Sequence, residues 1–247
     1  MSSFPDLSPL SPATSQARRH TLGLLAGLGT AIGASGLSSC SLFNTPKPVI
    51  GLALGAGAAR GFAHVGVIKA LESQGIKPDV VVGSSAGSVI AALFASGATG
   101  NELNRLAINL DEATIADWAL PFAGRFGGLI KGDALQNMVN REVQNKLIEQ
   151  MRIPLGIVAT DLQSGKGILF RSGNTGLAVR ASCSVPGVFQ PAVISDKEYV
   201  DGGLVAPVPV SYARQMGATL VIAVNISSEP VHQDASGTLG VLQQTIS

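Results

Sequence analysis

A serine, an aspartate and a run of glycines carry the chemistry open to this chain. In Val80 to Phe94, VVVGSSAGSVIAALF, a β-branched run ends in Gly83-Ser84-Ser85-Ala86-Gly87 and gives way to an apolar, alanine-rich segment. That is the pattern of a buried strand turning sharply into a helix with one hydroxyl at the apex. Within the stretch only Ser85 has glycine both two residues before it and two after it. A nucleophile elbow needs both glycines, because a β-carbon on either flank would strike the crossing strand and helix. The helix N-terminus then lies under the serine and favours developing negative charge. An ordinary glycine-serine turn has the same letters, so the context decides. Further on, Glu198-Tyr199-Val200-Asp201-Gly202-Gly203 sets a carboxylate at a strand end before two glycines. Asp201 is thereby the acid best placed by local sequence to meet a serine, the alternative being an Asp-Gly hairpin turn.

A third motif precedes both. Pro48 to Leu54 reads as a buried strand and runs into Gly55-Ala56-Gly57-Ala58-Ala59-Arg60-Gly61. The following helix has Val65, Ile68, Leu71 and Ile76 on one side and Lys69, Glu72 and Ser73 on the other. Glycines in such a loop expose backbone N–H groups to an anion. A dinucleotide pyrophosphate would require G-x-G-x-x-G, but Arg60 holds the sixth position and no acid closes a second strand. A tetrahedral oxyanion needs only two or three convergent donors, and a serine elbow follows within one βαβ unit, so the oxyanion is the better fit. Arg60 is a candidate to brace this loop or bind an acidic part of a substrate. His64, on the helix, reads as a packing or hydrogen-bonding residue before it reads as a base.

The remaining elements frame these three. Glu102 to Trp118 is predicted helical, Pro121 to Leu129 an apolar loop whose Phe122 and Phe126 suit a lid or acyl-chain wall, and Lys131 to Gln150 a helical, solvated cover. Ile153 to Asp161 pairs with Gly167 to Phe170 across a turn, and Asp161 at the strand end is open to a structural or a catalytic role. Leu177 to Ser184 is a small-residue helix, Pro186 and Pro191 stiffen the turn after it, and Thr219 to Asn225 supplies a last buried strand.

Composition narrows the partners. A formal net charge of +1 with no Lys/Arg cluster argues against nucleic acid. No cysteine and histidine spacing suggests zinc, no acidic loop suggests calcium, and no cofactor is expected. The first forty residues look unlike the rest. Arg18-Arg19 precedes the uncharged, small and apolar Thr21 to Ser39, the layout of a bacterial export signal. Leu37-Ser38-Ser39-Cys40 resembles a lipobox, which would acylate Cys40 and hold the protein on a membrane surface. The predicted organisation is an export signal over 1–39, a tether over 40–47 and one catalytic domain over 48–247, located in the bacterial envelope. Cys183 is then the one thiol left, and no internal disulfide can form.

Taken in order and at these separations, the glycine loop Gly55 to Gly61, Gly83-Ser84-Ser85-Ala86-Gly87 and Asp201-Gly202-Gly203 resemble the bacterial patatin-like phospholipase family. Ala159-Thr160-Asp161 and Ala181 to Pro191, ASCSVPGVFQP, fit the same likeness, which spans about Pro48 to Asn225. The resemblance implies an α/β/α sandwich on a mostly parallel sheet and a serine acyl hydrolase acting on lipid or small carboxylic esters. It implies Ser85 as nucleophile, Asp201 as base and the N–H groups of Gly55, Ala56 and Gly57 as oxyanion hole, with Arg60, Gly83, Gly87, Gly202 and Gly203 supporting. Two departures stand out. Ala56 and Ala58 interrupt the usual glycine run, though alanine keeps its N–H, and the chain ends soon after its last core strand, where relatives usually continue. A Ser–Asp–His order through His232 is the rival mechanism. A tethered binding protein without turnover is the rival function.

Overall fold

The computed structural model describes residues 47–109 and 130–227. Its centre is a seven-stranded sheet: β1 (Ile50–Leu54), β2 (Val80–Ser84), β3 (Leu155–Asp161), β4 (Gly167–Phe170), β5 (Ala192–Ile194), β6 (Lys197–Val200) and β7 (Leu220–Val224). Strands β7, β1, β2 and β3 run parallel, while β4, β5 and β6 join the β3 side antiparallel. Helices are α1 (Ala63–Ser73), α2 (Ala86–Ser96), α3 (Gly100–Asn109), α4 (Asp133–Glu142), α5 (Thr175–Ser182) and α6 (Val210–Gln215).

Side-chain alternation along the strands divides the core into two layers. Leu52, Leu54, Val81, Leu155 and Ile157 pack under α1 to α5 on one face. Ala53, Val80, Val82 and Val158 pack on the other against Tyr212, Ala213 and Met216 of α6 and its end. Helices therefore cover both faces, which is the expected α/β/α sandwich. It also explains why all five residues of β2, the three valines above all, are buried.

Several predicted elements end elsewhere. The Lys131 to Gln150 helix stops at Glu142, because Gln144 and Asn145 take left-handed φ of 58° and 57°; its polar face is exposed at Asp133, Asn137 and Arg141, while Leu135, Met138 and Val139 are buried on the other. The helix expected from Leu177 starts earlier, at Thr175, where the Asn174 side chain accepts the Leu177 N–H as a cap. Ile76 lies beyond α1: Gly75 turns left-handed, Ile76 N–H reaches Leu71 O at 2.9 Å, and Gly75 N–H reaches Glu72 O at 3.0 Å. β7 is an edge strand with Leu220 half exposed, so it is not the buried strand expected. The Glu102 to Trp118 helix is described only as far as Asn109. Residues 110–129, with Phe122 and Phe126, lie outside the described residues.

Candidate active site

The elbow forms where β2 meets α2. Ser85 sits between them with φ 51° and ψ −126°, a conformation that L-residues rarely hold and that costs roughly 1–3 kcal/mol. Its neighbours hold it there. A β-carbon on Gly83 would strike Ser88 Cα, and one on Gly87 would strike the Leu54 carbonyl, so both glycines are required by contact. The Ser85 N–H donates to Ser182 Oγ at 2.8 Å, and that hydroxyl donates in turn to Val158 O at 2.6 Å. Ser88 donates its N–H and its hydroxyl to Ser85 O.

Sheet topology delivers the partner. Val158 pairs with Ser84 on one side and Leu169 on the other, while Thr160 pairs with Val200 and Gly167. Thus β4 takes one edge of β3, and β2 and β6 share the opposite edge, running toward each other end to end. The residues just past both ends, Ser85 and Asp201, fall opposite Ala159. There Ser85 Oγ donates to Asp201 Oδ2 at 2.6 Å, and the Gly203 N–H donates to Oδ1 at 2.6 Å. The Asp201 backbone is fixed as well: its N–H bonds Ser184 O at 2.9 Å and its carbonyl accepts from Thr160 Oγ1 at 2.7 Å. Gly202 is required, because a β-carbon there would strike Val158 O. A β-carbon on Gly203 would lie 2.9 Å from Ala56 Cβ, which brings this turn against the glycine loop.

Asp201 is fully buried. Loss of water pushes its carboxyl up to about 6, against the opposing pull of the Ser85 and Gly203 hydrogen bonds. Burial likewise raises the Cys183 thiol, with the Asp201 carboxylate adding to it, so the thiol stays protonated beside Ser88.

The glycine loop corrects one expectation. Gly55 N–H donates to Val224 O at 3.0 Å and Ala56 N–H to Pro207 O at 2.8 Å, so both are consumed by the fold and neither is free for an oxyanion. Gly57 keeps an N–H with no partner among the described residues, and so do Ala58 and Ala59 in the one-turn helix that follows (Ala58–Phe62). Ala58 has φ 47°. Arg60 braces the loop by donating Nε to Ile226 O at 2.8 Å. His64 is buried with Nε2 2.8 Å from Gly55 O, in line with a hydrogen-bonding role.

Asp161 is structural: its Oδ1 accepts the Ser164 N–H and hydroxyl, which hold its carboxyl below the usual range. The sequence reading gives Ser182 and Thr160 no role of their own, although both lie inside segments that carry the resemblance, Ala181 to Pro191 and Ala159-Thr160-Asp161. Cys40, the export signal and His232 lie outside the described residues. Among the described residues no His, Cys, Asp and Glu cluster could hold a metal, and no helix is long and apolar enough to cross a membrane.

A strand, a strained serine and a helix under it, on a mostly parallel sheet covered on both faces, define the α/β/α class that presents one hydroxyl at its strand ends. Residues 52–214 match the model of the patatin-like phospholipases. The chain belongs to the patatin-like phospholipase family, a family of hydrolases. It is 36% identical over 181 residues to an uncharacterized NTE family protein of Mycobacterium tuberculosis, covering 73% of this chain and 50% of the relative. It is 34% identical over 183 residues to lysophospholipase NTE1 of Mycosarcoma maydis, covering 72% of this chain and 10% of that one. The chain thus spans half or less of these relatives' length. Among solved structures, VipD from Legionella pneumophila superposes with a TM-score of 0.49 at 15% identity, over 62% of this chain and 45% of that one.

Proposed function

We propose that Ser85 and Asp201 form a catalytic dyad that hydrolyses carboxylic esters of lipids through an acyl-enzyme. The observation that carries this reading is the buried 2.6 Å hydrogen bond from Ser85 Oγ to Asp201 Oδ2, with both backbones locked. Ser85 Oγ attacks the ester carbonyl carbon as its proton passes to Asp201. The resulting oxyanion takes the Gly57 and Ala58 N–H groups, the first two of the three loop donors without a partner among the described residues. Collapse breaks the bond to the alcohol, which leaves with the proton from Asp201, and water then repeats the sequence on the acyl-enzyme. Direct contact between hydroxyl and carboxylate supports this dyad over a Ser–Asp–His relay, in which an imidazole stands between the two. The lysophospholipase name of the Mycosarcoma maydis relative makes lysophospholipids the first substrates to try.

The test is p-nitrophenol release from short and medium acyl esters, beside Ser85→Ala. Turnover should vanish in the variant, and wild-type kcat/KM should climb with pH and level off above about 6, as Asp201 loses its proton and becomes a base. Equal rates in both proteins, or a profile flat through that range, would remove the dyad.

The sequence supports export and an envelope location through acylated Cys40, as part of the same proposal. Expressed in a bacterium, the full chain should partition with membranes and incorporate labelled palmitate, and Cys40→Ala should do neither. A Cys40→Ala chain that stayed membrane-bound would argue for another mode of attachment.

A further inference from the structure

His64 is the buried titratable group that the dyad leaves unused. Its side chain is fully buried, Nε2 lies 2.8 Å from Gly55 O, and Nδ1 has no partner among the described residues. A carbonyl can only accept, so Nε2 carries the proton and Nδ1 is the bare nitrogen. Burial lowers the pKa of this imidazole, which keeps it in that neutral form.

The carbonyl it holds occupies a mechanical junction. A β-carbon on Gly87 would stand 2.7 Å from Gly55 O and 2.6 Å from Leu54 C, so the first turn of the elbow helix packs directly on the peptide that His64 binds. Three hydrogen bonds fix that peptide and its neighbours: Gly55 N–H to Val224 O, Ala56 N–H to Pro207 O, and His64 to Gly55 O. Two of these are main chain to main chain and belong to any sequence with this backbone. The third is a side-chain choice, and it comes from α1, the element that continues from the loop.

We infer that His64 is a positioning residue, which sets the distance between the oxyanion donors of the glycine loop and the Ser85 elbow by holding Gly55 O from beneath. This rests on the hydrolase reading above. Donors that stabilise an oxyanion act within tenths of an ångström, and misplacement by about 1 Å can cost on the order of 10²-fold in rate. Losing the bond should therefore lower kcat and leave KM nearly unchanged, because the ground-state ester does not use the donors.

The test compares His64→Leu, which lacks a donor, with His64→Gln, whose amide can place an N–H near the Nε2 position. In p-nitrophenyl ester hydrolysis, H64L should lose about 10- to 100-fold in kcat with KM within about threefold, and H64Q should recover most of it. Amide hydrogen exchange gives a readout free of turnover: Gly55 and Ala56 should exchange about tenfold faster or more in H64L and return toward wild type in H64Q. If H64L folds poorly, H64M, also without a donor, takes its place. Wild-type kcat in H64L, or a loss that H64Q fails to restore while Gly55 and Ala56 stay protected, would overturn the inference. Absence of Ser85-dependent turnover in the wild type would instead sink the hydrolase reading. The exchange rates of Gly55 and Ala56 would then still decide whether His64 positions the loop.

Discussion

Asp201→Asn is expected to abolish ester hydrolysis and, above pH 6, to make the protein more stable. The two effects have one cause. In the proposed dyad ionised Asp201 is the base for Ser85, and general-base catalysis contributes about 10²–10⁴-fold, so the variant should fall by at least that range. Yet a carboxyl raised from 3.8 to about 6 by burial is one that the folded state would rather keep protonated. Below the ordinary carboxylate range both folded and unfolded chains hold the proton, and there is no penalty. Between about 4 and 6 the unfolded chain releases it first, so wild-type stability falls as pH rises through that window, reaching about 3 kcal/mol above it. Asparagine is neutral at every pH. Its amide can still accept from Gly203 N–H and donate to Ser85 Oγ, so the packing survives. Thermal melting of D201N should therefore exceed wild type by about 5–10 °C at pH 8, with the gap closing toward pH 4. A variant that melts lower at pH 8 would mean that the charge is stabilised in the fold and that Asp201 is a poor base.

The elbow was legible because its glycines are demanded locally. Gly83 meets Ser88, five residues on, and Gly87 meets Leu54 of the adjacent strand, so the spacing itself encodes the turn. The pairing of Ser85 with Asp201 was legible only as a preference for an acid before two glycines. What enforces it is β6 running antiparallel into the end of β2 along β3, a register between segments far apart in the chain. That Gly55 and Ala56, two of the three expected oxyanion donors, spend their N–H groups inside the fold was illegible for a similar reason. Nothing in Gly55-Ala56-Gly57 reveals that Pro207 and Val224 arrive to take two of its N–H groups. Ser182 holds the Ser85 N–H, but a serine in a small-residue helix reads the same whether it is buried filler or a hydrogen-bond relay. The overrun of the Lys131 helix has a plainer origin. Its stop is carried by Gln144 and Asn145 in left-handed conformation, with no glycine or proline nearby to announce it.

Two identical glycine-to-alanine changes in helices should act in opposite directions, and the contrast isolates what the site demands. Gly66 lies within α1, where an added β-carbon meets nothing within 4 Å. Gly66→Ala removes glycine's backbone entropy from a helix interior and should raise stability by about 0.5–1 kcal/mol, with activity unchanged. Gly87 lies in α2, where the same propensity gain applies, but the β-carbon meets backbone: Leu54 O, Leu54 C at 2.6 Å and Gly55 O at 2.7 Å. Main-chain atoms of a central strand cannot rotate aside as a side chain would. The elbow helix must therefore back away from β1 and the glycine loop, overpacking a fully buried junction at a cost of about 3 kcal/mol or more. That movement also draws Ser85 from the loop donors, so Gly87→Ala should lose activity even at a temperature where it remains folded. Denaturant melts and ester hydrolysis on both variants measure this directly. A Gly87→Ala protein as stable and active as Gly66→Ala would show that the elbow and loop are not in the tight contact on which the proposed oxyanion geometry depends.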